Sequence, residues 1–340
     1  MIVLVTGGAG FIGANLVRKL VAHQLDATVH LLVEKQSDLH RLSDLLDKLV
    51  IHEIDLTDAA GVRTLVLAIR PGVIYHLASY GGMPHQRDQM TVYNVNFYGT
   101  ITLLNACKEV GFSCFVNTGS SSEYGMQPVA MSERQLLEPI SDYAVAKAAA
   151  TQFCLKEALF NKLPVYTVRP FSVYGDYEMP TRLIPTIIAN ALEGKPINLS
   201  ASHYVRDYIY ISDMVDVLIA VTKKLPTDAF IFNGGTGVQS TIQDVVDTVG
   251  NILQKPLTVN WGTQVPRPWE PARWQADIAQ TSQALQWAPR YNLHQGLVAS
   301  IDWFEKHLNL YSVGHSTPSI IQPSRQAMAD TVRANGQCGV

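Results

Sequence analysis

The stretch TGGAGFIG (Thr6–Gly13) follows the apolar run MIVLV (Met1–Val5) and precedes an amphipathic segment. A β-branched run, a glycine-rich turn and apolar residues at helical spacing predict a strand, a tight turn and a helix. Gly7 suits the turn, Gly10 lets the backbone approach a pyrophosphate, and Gly13 lets the helix pack closely on the strand. An anion placed there meets the unpaired N–H groups of the helix N-terminus. The start of the chain therefore predicts a dinucleotide-binding unit.

Strands continue to alternate with helices through the first half of the chain. Further strands are predicted at Ala27–Val33, Leu49–Ile54, Val73–Leu77, Cys114–Val116 and Val165–Arg169. Alternation of this kind predicts an α/β fold, a doubly wound parallel sheet of the Rossmann type with helices on both faces. After Gly175 the pattern becomes irregular and prolines interrupt it, which indicates a smaller, mixed C-terminal substrate domain.

These patterns predict a division into domains. Residues 1–175 form a dinucleotide-binding domain to which 208–235 return, and residues 176–310 form a substrate-binding domain. Residues 311–340, rich in Ser, Pro, Gln and Gly, are expected to form a loosely ordered tail. One continuous helix is predicted from Val92 to Val110.

Charge and composition exclude several classes of partner. The 340 residues carry a net charge of −3, so no overall basic field points to nucleic acid or to an anionic membrane. The four cysteines and ten histidines lack ligand spacing, which predicts no metal site. The first residues lack the length and cationic flank of a span or leader, so we expect a cytoplasmic protein.

The segment from Asn117 to Lys147 carries the clearest candidate chemistry. It begins with a serine cluster after a predicted strand and ends with Tyr143 and Lys147, four residues apart at the start of a predicted helix. Residues at that spacing are neighbours on one helix face. An ammonium there can lower the pKa of a phenol, which suits proton transfer to or from an alcohol or ketone.

Acidic side chains follow the second and third predicted strands. Glu34 is placed to accept hydrogen bonds from the adenosine ribose and to repel a 2′-phosphate, which favours NAD over NADP, although Lys35 is adjacent. Asp55 ends the third strand with two interpretations open. It meets the adenine together with Leu56, or it caps the following helix.

Several further motifs occur in a fixed order along the chain. They are Asp55-Leu56, His76-Leu77-Ala78-Ser79, Asn94-Val95-Asn96 with Gly99-Thr100, Tyr124-Gly125, Tyr143 with Lys147, Arg169-Pro170 and Val173-Tyr174-Gly175. With TGGAGFIG, they make the chain resemble an extended short-chain dehydrogenase/reductase of the NAD-dependent epimerase/dehydratase family, which acts on nucleotide sugars. RDYIYISD (206–213) and RPWEPARWQAD (267–277) continue a resemblance that covers residues 1–307.

The resemblance implies roles for individual residues. Tyr143 would be the general acid/base, Lys147 would bind the nicotinamide ribose and depress the Tyr143 pKa, and a serine would hydrogen-bond the reacting oxygen. Ser120 and Ser121 compete for that last role, and counting back from Tyr124-Gly125 favours Ser120. The cofactor residues predicted in this way are Gly7, Gly10, Phe11, Ile12, Gly13, Glu34, Asp55, Leu56, Leu77, Ala78 and Lys147.

The residues beside the serine bear on the reaction. Family members that remove water across C5 and C6 need a carboxylate base there, whereas this chain has Ser121 and Ser122, with Glu123 displaced by one position. GSSSEYG followed by YAVAK is also similar to reductases of nucleotide 4-keto-6-deoxyhexoses. Reduction is therefore predicted first, then 4-epimerisation and 4,6-dehydration, and a non-catalytic dinucleotide sensor is a remote alternative.

The expected substrate is a nucleotide-diphosphate sugar. Arg206 and Arg267 match family arginines that clamp the diphosphate, a task that suits the planar guanidinium. The other residues predicted to contact the substrate are Ser79, Tyr80, Ser122 and Arg182. The family further implies a homodimer through the helices 92–110 and 143–159.

Overall fold

The computed structural model describes residues 1–23, 27–83, 85–263 and 272–308. The strands in this part of the chain are β1 (Ile2–Thr6), β2 (Thr28–Val33), β3 (Leu49–Glu53), β4 (Val73–His76), β5 (Cys114–Thr118), β6 (Val165–Pro170), β7 (Ser172–Tyr174), β8 (Ile197–Asn198), β9 (Val205–Tyr210), β10 (Ile231–Gly234), β11 (Gln239–Thr241) and β12 (Val259–Asn260). The α-helices are α1 (Phe11–Ala22), α2 (Ala59–Ile69), α3 (Gln89–Tyr93), α4 (Gly99–Val110), α5 (Asp142–Phe160), α6 (Leu183–Glu193), α7 (Ile211–Lys224), α8 (Ile242–Leu253), α9 (Ala279–Leu285) and α10 (Leu293–His307).

A seven-stranded parallel sheet forms the centre of the molecule. Its order is β10-β6-β5-β4-β1-β2-β3. Val3 and Val5 of β1 face a core shared with α1 and α7, whereas Leu4 faces the core formed with α2 and α4. Every residue of β5 and β6 is buried, as expected of strands covered on both faces. The predicted doubly wound α/β fold is confirmed.

A smaller mixed sheet is present as well. Its order is β11-β9-β7, in which β7 is parallel and β11 antiparallel to β9. The short strands β8 and β12 pair separately. After β9 the chain returns to the large sheet, where α7 packs on α1 and β10 adds an edge strand beside β6. The proposed division at residue 175 stays a prediction, and the predicted tail lies outside the described residues.

The order of the strands creates a crevice at their carboxyl ends. From β1 the chain adds β2 and β3 on one side, and it then crosses to place β4, β5 and β6 on the other. Ligands bind at such a switch point because the loops leaving neighbouring strands diverge there. The loops after β1, β4 and β5 are therefore expected to form a ligand-binding site.

The predicted helix from Val92 to Val110 is divided in the structure. A π-helical turn, Asn94–Tyr98, separates α3 from α4. Its buried Asn96 donates to the carbonyl oxygens of Tyr80 (2.6 Å) and Val92 (2.8 Å) and accepts from the Tyr80 N–H (3.1 Å). A widened turn that carries such a side chain is a frequent feature near functional sites, and regular apolar spacing does not reveal it. Among the described residues, no helix is long and apolar enough to cross a membrane.

One buried carboxylate, Asp207, joins three separate segments. Its oxygens accept from the backbone N–H groups of Thr236 (2.8 Å), Gly237 (2.9 Å) and Ala276 (3.0 Å), and from the Thr236 hydroxyl. Asp207 is fully buried, and it accepts from all three of these backbone N–H groups, of which the Ala276 N–H is itself buried. This side chain fixes the turn after β10 and the segment before α9 against β9.

We predict that Asp207→Ala lowers the free energy of unfolding by about 3 kcal/mol, because it leaves buried N–H groups without acceptors. Urea denaturation monitored by circular dichroism would measure the change. Asp302→Ala, at an exposed position on α10, is the control and should change the stability by less than about 0.5 kcal/mol. Equal stabilities of the two variants would contradict the role given to Asp207.

Candidate active site

The glycine turn after β1 leaves the start of α1 open. Gly7 has φ +69°, and a Cβ atom there would lie 2.5 Å from the backbone nitrogen of Ala78. At Gly13 a Cβ atom would lie 2.1 Å from the Gly7 carbonyl oxygen. In the described structure no side chain caps α1, whose first residues are Phe11 and Ile12, and its first turn carries no acidic residue. These features fit the pyrophosphate of a dinucleotide, which binds to free N–H groups at a helix N-terminus.

The crevice beside this turn is formed by β1 and β4. The Leu77 N–H donates to the Thr6 carbonyl oxygen (3.0 Å), and the Ala78 N–H donates to the Thr6 hydroxyl (3.2 Å). Both Leu77 and Ala78 are half-buried at the carboxyl edge, next to Gly7. Together with the glycine turn they form a cradle, and a side chain at Gly7 would fill it. The open cradle fits NAD.

The acidic residues predicted to meet the adenosine have different environments. Glu34 follows β2 and is exposed, as the ribose assignment requires. Asp55 accepts from the N–H (2.8 Å) and hydroxyl of Thr57, so it closes a local turn. The cap of α2 is Asp58, which accepts from the Gly61 N–H, and the alternative that Asp55 caps the helix is therefore wrong. Leu56 is buried beside α4.

The serine cluster after β5 forms a short 3₁₀ helix, Ser121–Tyr124. Ser120 caps it by accepting from the Ser122 N–H (3.1 Å), while its own backbone N–H donates to the Glu123 carboxylate (2.8 Å). This reciprocal capping box fixes the serine turn at the end of the strand. Ser121 is buried and Ser122 half-buried.

Tyr143 and Lys147 lie one turn apart on α5, which Ser141 caps. The Lys147 ammonium donates to the Thr118 carbonyl oxygen (2.8 Å) and lies 6.0 Å from the centre of the Tyr143 ring. The Ser120 side chain is close enough to the Tyr143 hydroxyl to lower the pKa of that phenol. The structure thus brings Ser120, Tyr143 and Lys147 together, and of the two serines it is Ser120 that acts on the pKa of the phenol, while the role of either serine in the reaction stays a prediction.

Burial dominates the electrostatics of this group. It raises the pKa of Tyr143 to about 12, a shift that the Ser120 hydrogen bond and the charge of Arg182 oppose. Burial also lowers the pKa of Lys147 to about 8, while the negative charge of Glu123 acts in the opposite direction. The direction for Tyr143 differs from the expected lowering because loss of hydration penalises the phenolate more than nearby cations stabilise it.

Glu123 does not face a ligand. It is fully buried, and one carboxylate oxygen accepts from the Ser120 N–H and the Thr151 hydroxyl (3.0 Å). The other oxygen accepts from Nε of Arg169 (2.8 Å), which is also fully buried and donates to the Tyr124 hydroxyl (2.9 Å). A carboxylate paired in this way is a structural anchor for the serine turn.

The partners of Glu123 were missed from the sequence. Arg169 and Thr151 were given no role, although an arginine that ends an apolar strand is almost never buried without an acidic partner. That rule predicts the existence of a partner. It does not identify Glu123, which is 46 residues away.

The predicted substrate residues are only partly described. Arg182 is exposed and lies 3.9 Å from the buried Glu178, whose pKa burial raises to about 8. Arg206 is half-buried, with its guanidinium 5.7 Å from the centre of the Trp274 ring. The remaining predicted contacts are the exposed Ser79, the half-buried Tyr80 and Ser122, and Arg267, which lies outside the described residues. Among those residues, no group of three or more His, Cys, Asp or Glu side chains is arranged to hold a metal ion.

Relatives of known activity match most of the chain. The chain is 26% identical over 337 residues to dTDP-glucose 4,6-dehydratase 1 of Escherichia coli, a match that covers 89% of this chain and 92% of that protein. The crystal structure of dTDP-glucose 4,6-dehydratase from Bacillus anthracis in complex with NAD superimposes with a TM-score of 0.81 at 25% identity, covering 92% of this chain and 98% of the other.

A second solved structure is similar and carries a different activity. UDP-glucuronic acid 4-epimerase from Bacillus cereus, in complex with UDP-glucuronic acid and NAD, has a TM-score of 0.78 at 28% identity and covers 90% of this chain and 100% of its own. The model of the NAD dependent epimerase/dehydratase family matches residues 3–233, more than half of the chain. The fold, the glycine cradle and these matches agree that the chain is an enzyme with NAD as its cofactor and belongs to the NAD dependent epimerase/dehydratase family.

Proposed function

We propose that the enzyme transfers hydride between NAD(H) and C4 of a nucleotide-diphosphate sugar, and that its net reaction is reduction of a 4-keto-6-deoxyhexose. The observation that carries this proposal is the position of Glu123. With its carboxylate bound to Arg169, Thr151 and the Ser120 N–H, the serine turn presents hydroxyl groups and no carboxylate base. Hydroxyl groups suit the oxygen of a carbinol or ketone at C4.

The protonation state of Tyr143 favours the direction of reduction. With a pKa raised to about 12, the phenol carries its proton at neutral pH and can donate it to the C4 oxygen. Ser120, whose side chain lies near the same hydroxyl, would hold that oxygen in place. When bound, NADH supplies the hydride that reaches C4. The ketone thus gains a hydride and a proton to become an alcohol, and Tyr143 regains its proton from solvent.

Elimination of water from C5 and C6 has no base in this turn. Ser121 and Ser122 occupy the positions where the dehydratase pattern requires acidic residues, and Glu123 points away from them into the core. A serine hydroxyl has no appreciable basicity at neutral pH, so it cannot take the C5 proton unaided. Dehydration is therefore the least favoured reaction of the family here.

Epimerisation at C4 is the second candidate function. The UDP-glucuronic acid 4-epimerase that shares the fold was crystallised with NAD, and oxidation followed by reduction at C4 needs the same phenol and serine. Arg206 would bind the diphosphate in either reaction, and Arg182 would contact the substrate. The two functions differ because a reductase consumes NADH, whereas an epimerase causes no net change in NADH.

A homodimer is part of the proposal. Tyr98, at the start of α4, and Val145, Leu159 and Phe160 of α5 are exposed, with Phe160 79% accessible. Apolar side chains exposed on neighbouring helices are typical of a surface that is covered in an assembly. The pairing of these two helices with a second copy would cover them.

We predict that the purified enzyme oxidises one NADH for each nucleotide 4-keto-6-deoxyhexose converted, giving a product that has gained two hydrogen atoms. Absorbance of the reduced nicotinamide and product mass would be followed over a panel of nucleotide sugars and their 4-keto derivatives. Tyr143→Phe should lower kcat by about 100-fold or more, because the proton donor is lost. Isomerisation without net NADH use would identify an epimerase, and loss of water would identify a dehydratase.

We further predict that Glu123→Gln lowers kcat by about 10- to 100-fold, because the amide cannot hold both the Ser120 N–H and Arg169 as the carboxylate does. Removing the negative charge also removes a contribution that raises the pKa values of Lys147 and Tyr143. The alkaline limb of the pH profile of kcat/KM should therefore move to lower pH.

A control separates this effect from instability. Glu123→Gln leaves Arg169 buried without its partner, which costs about 3–5 kcal/mol of stability, whereas the double variant with Arg169→Met removes both charges. We expect the double variant to regain stability in urea and to stay impaired in kcat. If it also regains full activity, Glu123 has no role in positioning Ser120.

A further inference from the structure

Gly81 lies beside Tyr143, so that any side chain at this position would meet the Tyr143 ring. Gly81 has φ +98°, and a Cβ atom at this position would lie 2.9 Å from Cγ2 of Val92, 3.3 Å from Cδ2 of Tyr143 and 3.5 Å from Cβ of Tyr143. Both the conformation and the space therefore require glycine. The next residue, Gly82, is exposed and has nothing within 4 Å of its virtual Cβ atom.

Two amide side chains hold this backbone in place. Asn96 binds the N–H and the carbonyl oxygen of Tyr80 on one side. Gln86 uses a single oxygen, Oε1, to accept from the N–H groups of Gly81 (3.0 Å) and Met83 (3.3 Å) on the other. Four backbone hydrogen bonds thus fix the segment 80–83 at the point where it meets the phenol ring.

The helix that carries Tyr143 is tied to the same region. Asp142, the residue before it, accepts from the Tyr93 hydroxyl (3.0 Å) and from Nε2 of Gln89 (2.9 Å), both on α3. A side chain at residue 81 would therefore press on the ring of Tyr143, whose hydroxyl lies near Ser120. A shift of residue 81 would displace the ring and change the distance between the phenol and Ser120.

We infer that Gly81 and Gln86 are positioning residues for Tyr143: Gln86 fixes the backbone of residue 81, and that backbone sets the position of the phenol. The inference rests on the proposed role of Tyr143 in proton transfer. The neighbouring residues Ser79 and Tyr80 were predicted only to contact the substrate. Gly81 and Gln86 would, in addition, influence how fast the reaction at C4 proceeds. Because both act on the phenol and not on the diphosphate or the dinucleotide, they should affect kcat and leave binding unchanged.

The first test compares Gly81→Ala with Gly82→Ala. We expect Gly81→Ala to lower kcat by about 30- to 100-fold, since a displacement of about 1 Å at a reacting group has effects of this size. KM and the affinity for NADH, measured by fluorescence titration, should change by less than about 2-fold. Gly82→Ala should match the parent enzyme within about 2-fold in all three. Equal effects of the two substitutions on kcat would overturn the inference.

The second test uses Gln86. Gln86→Glu keeps an oxygen acceptor for the two N–H groups and should retain kcat within about 3-fold, whereas Gln86→Ala should lower kcat by about 10-fold. Gln86→Met fills nearly the same space without the oxygen and should lose kcat as Gln86→Ala does, whereas a side chain that only fills space would leave Gln86→Met as active as Gln86→Glu. Similar losses in Gln86→Glu and Gln86→Ala, or full activity of Gln86→Met, would therefore reject the acceptor role.

A double-variant cycle separates positioning from loss of folding. In a Tyr143→Phe background the phenol proton is absent, so Gly81→Ala should lower the residual kcat by less than about 2-fold. An undiminished loss in that background would show that Gly81 acts elsewhere. Full activity of Tyr143→Phe would reject the proposed function. If Tyr143→Phe is inactive but Gly81→Ala is unimpaired, only the positioning role of Gly81 is rejected.

Discussion

The buried ion pair between Glu123 and Arg169 is the interaction on which the site depends. Both side chains are fully buried, and each charge is compensated by the other, with further hydrogen bonds between Glu123 and Thr151 and between Arg169 and Tyr124. Through its second oxygen Glu123 holds the backbone of Ser120, and its charge favours the ammonium form of Lys147. One interaction thus links the end of β6 to the two polar partners of Tyr143.

The parallel sheet explains why these groups meet. Thr118 ends β5, and its carbonyl oxygen receives the Lys147 ammonium, while the loops after β1 and β4 form the glycine cradle a short distance along the same edge. Carboxyl ends of parallel strands all lie at one edge, so the glycine cradle and the serine turn are formed by different loops of a single crevice. The helix α5, which follows the serine turn, brings Tyr143 and Lys147 to the same edge.

Local patterns predicted most of the fold and part of the site. The glycine turn, the alternation of strands and helices, and the spacing of Tyr143 and Lys147 depend on residues close in sequence, and the sheet and the α5 turn agree with them. What escaped prediction depends on distant pairs. The burial of Glu123 needs Arg169, and the interruption of the helix near Asn96 needs the backbone of Tyr80. Neither partner can be recognised from a periodic pattern in the sequence around it.

Burial of the site also determines which groups carry a proton before the reaction begins. The same loss of hydration that raises the pKa of Tyr143 to about 12 lowers that of Lys147 to about 8, so the proton is favoured on the phenol and only weakly held by the amine. A phenol in this state is ready to donate to a ketone oxygen. In the proposed reduction the phenol would donate its proton from this state, whereas the alternative, epimerisation, would begin with a phenol that has first lost it.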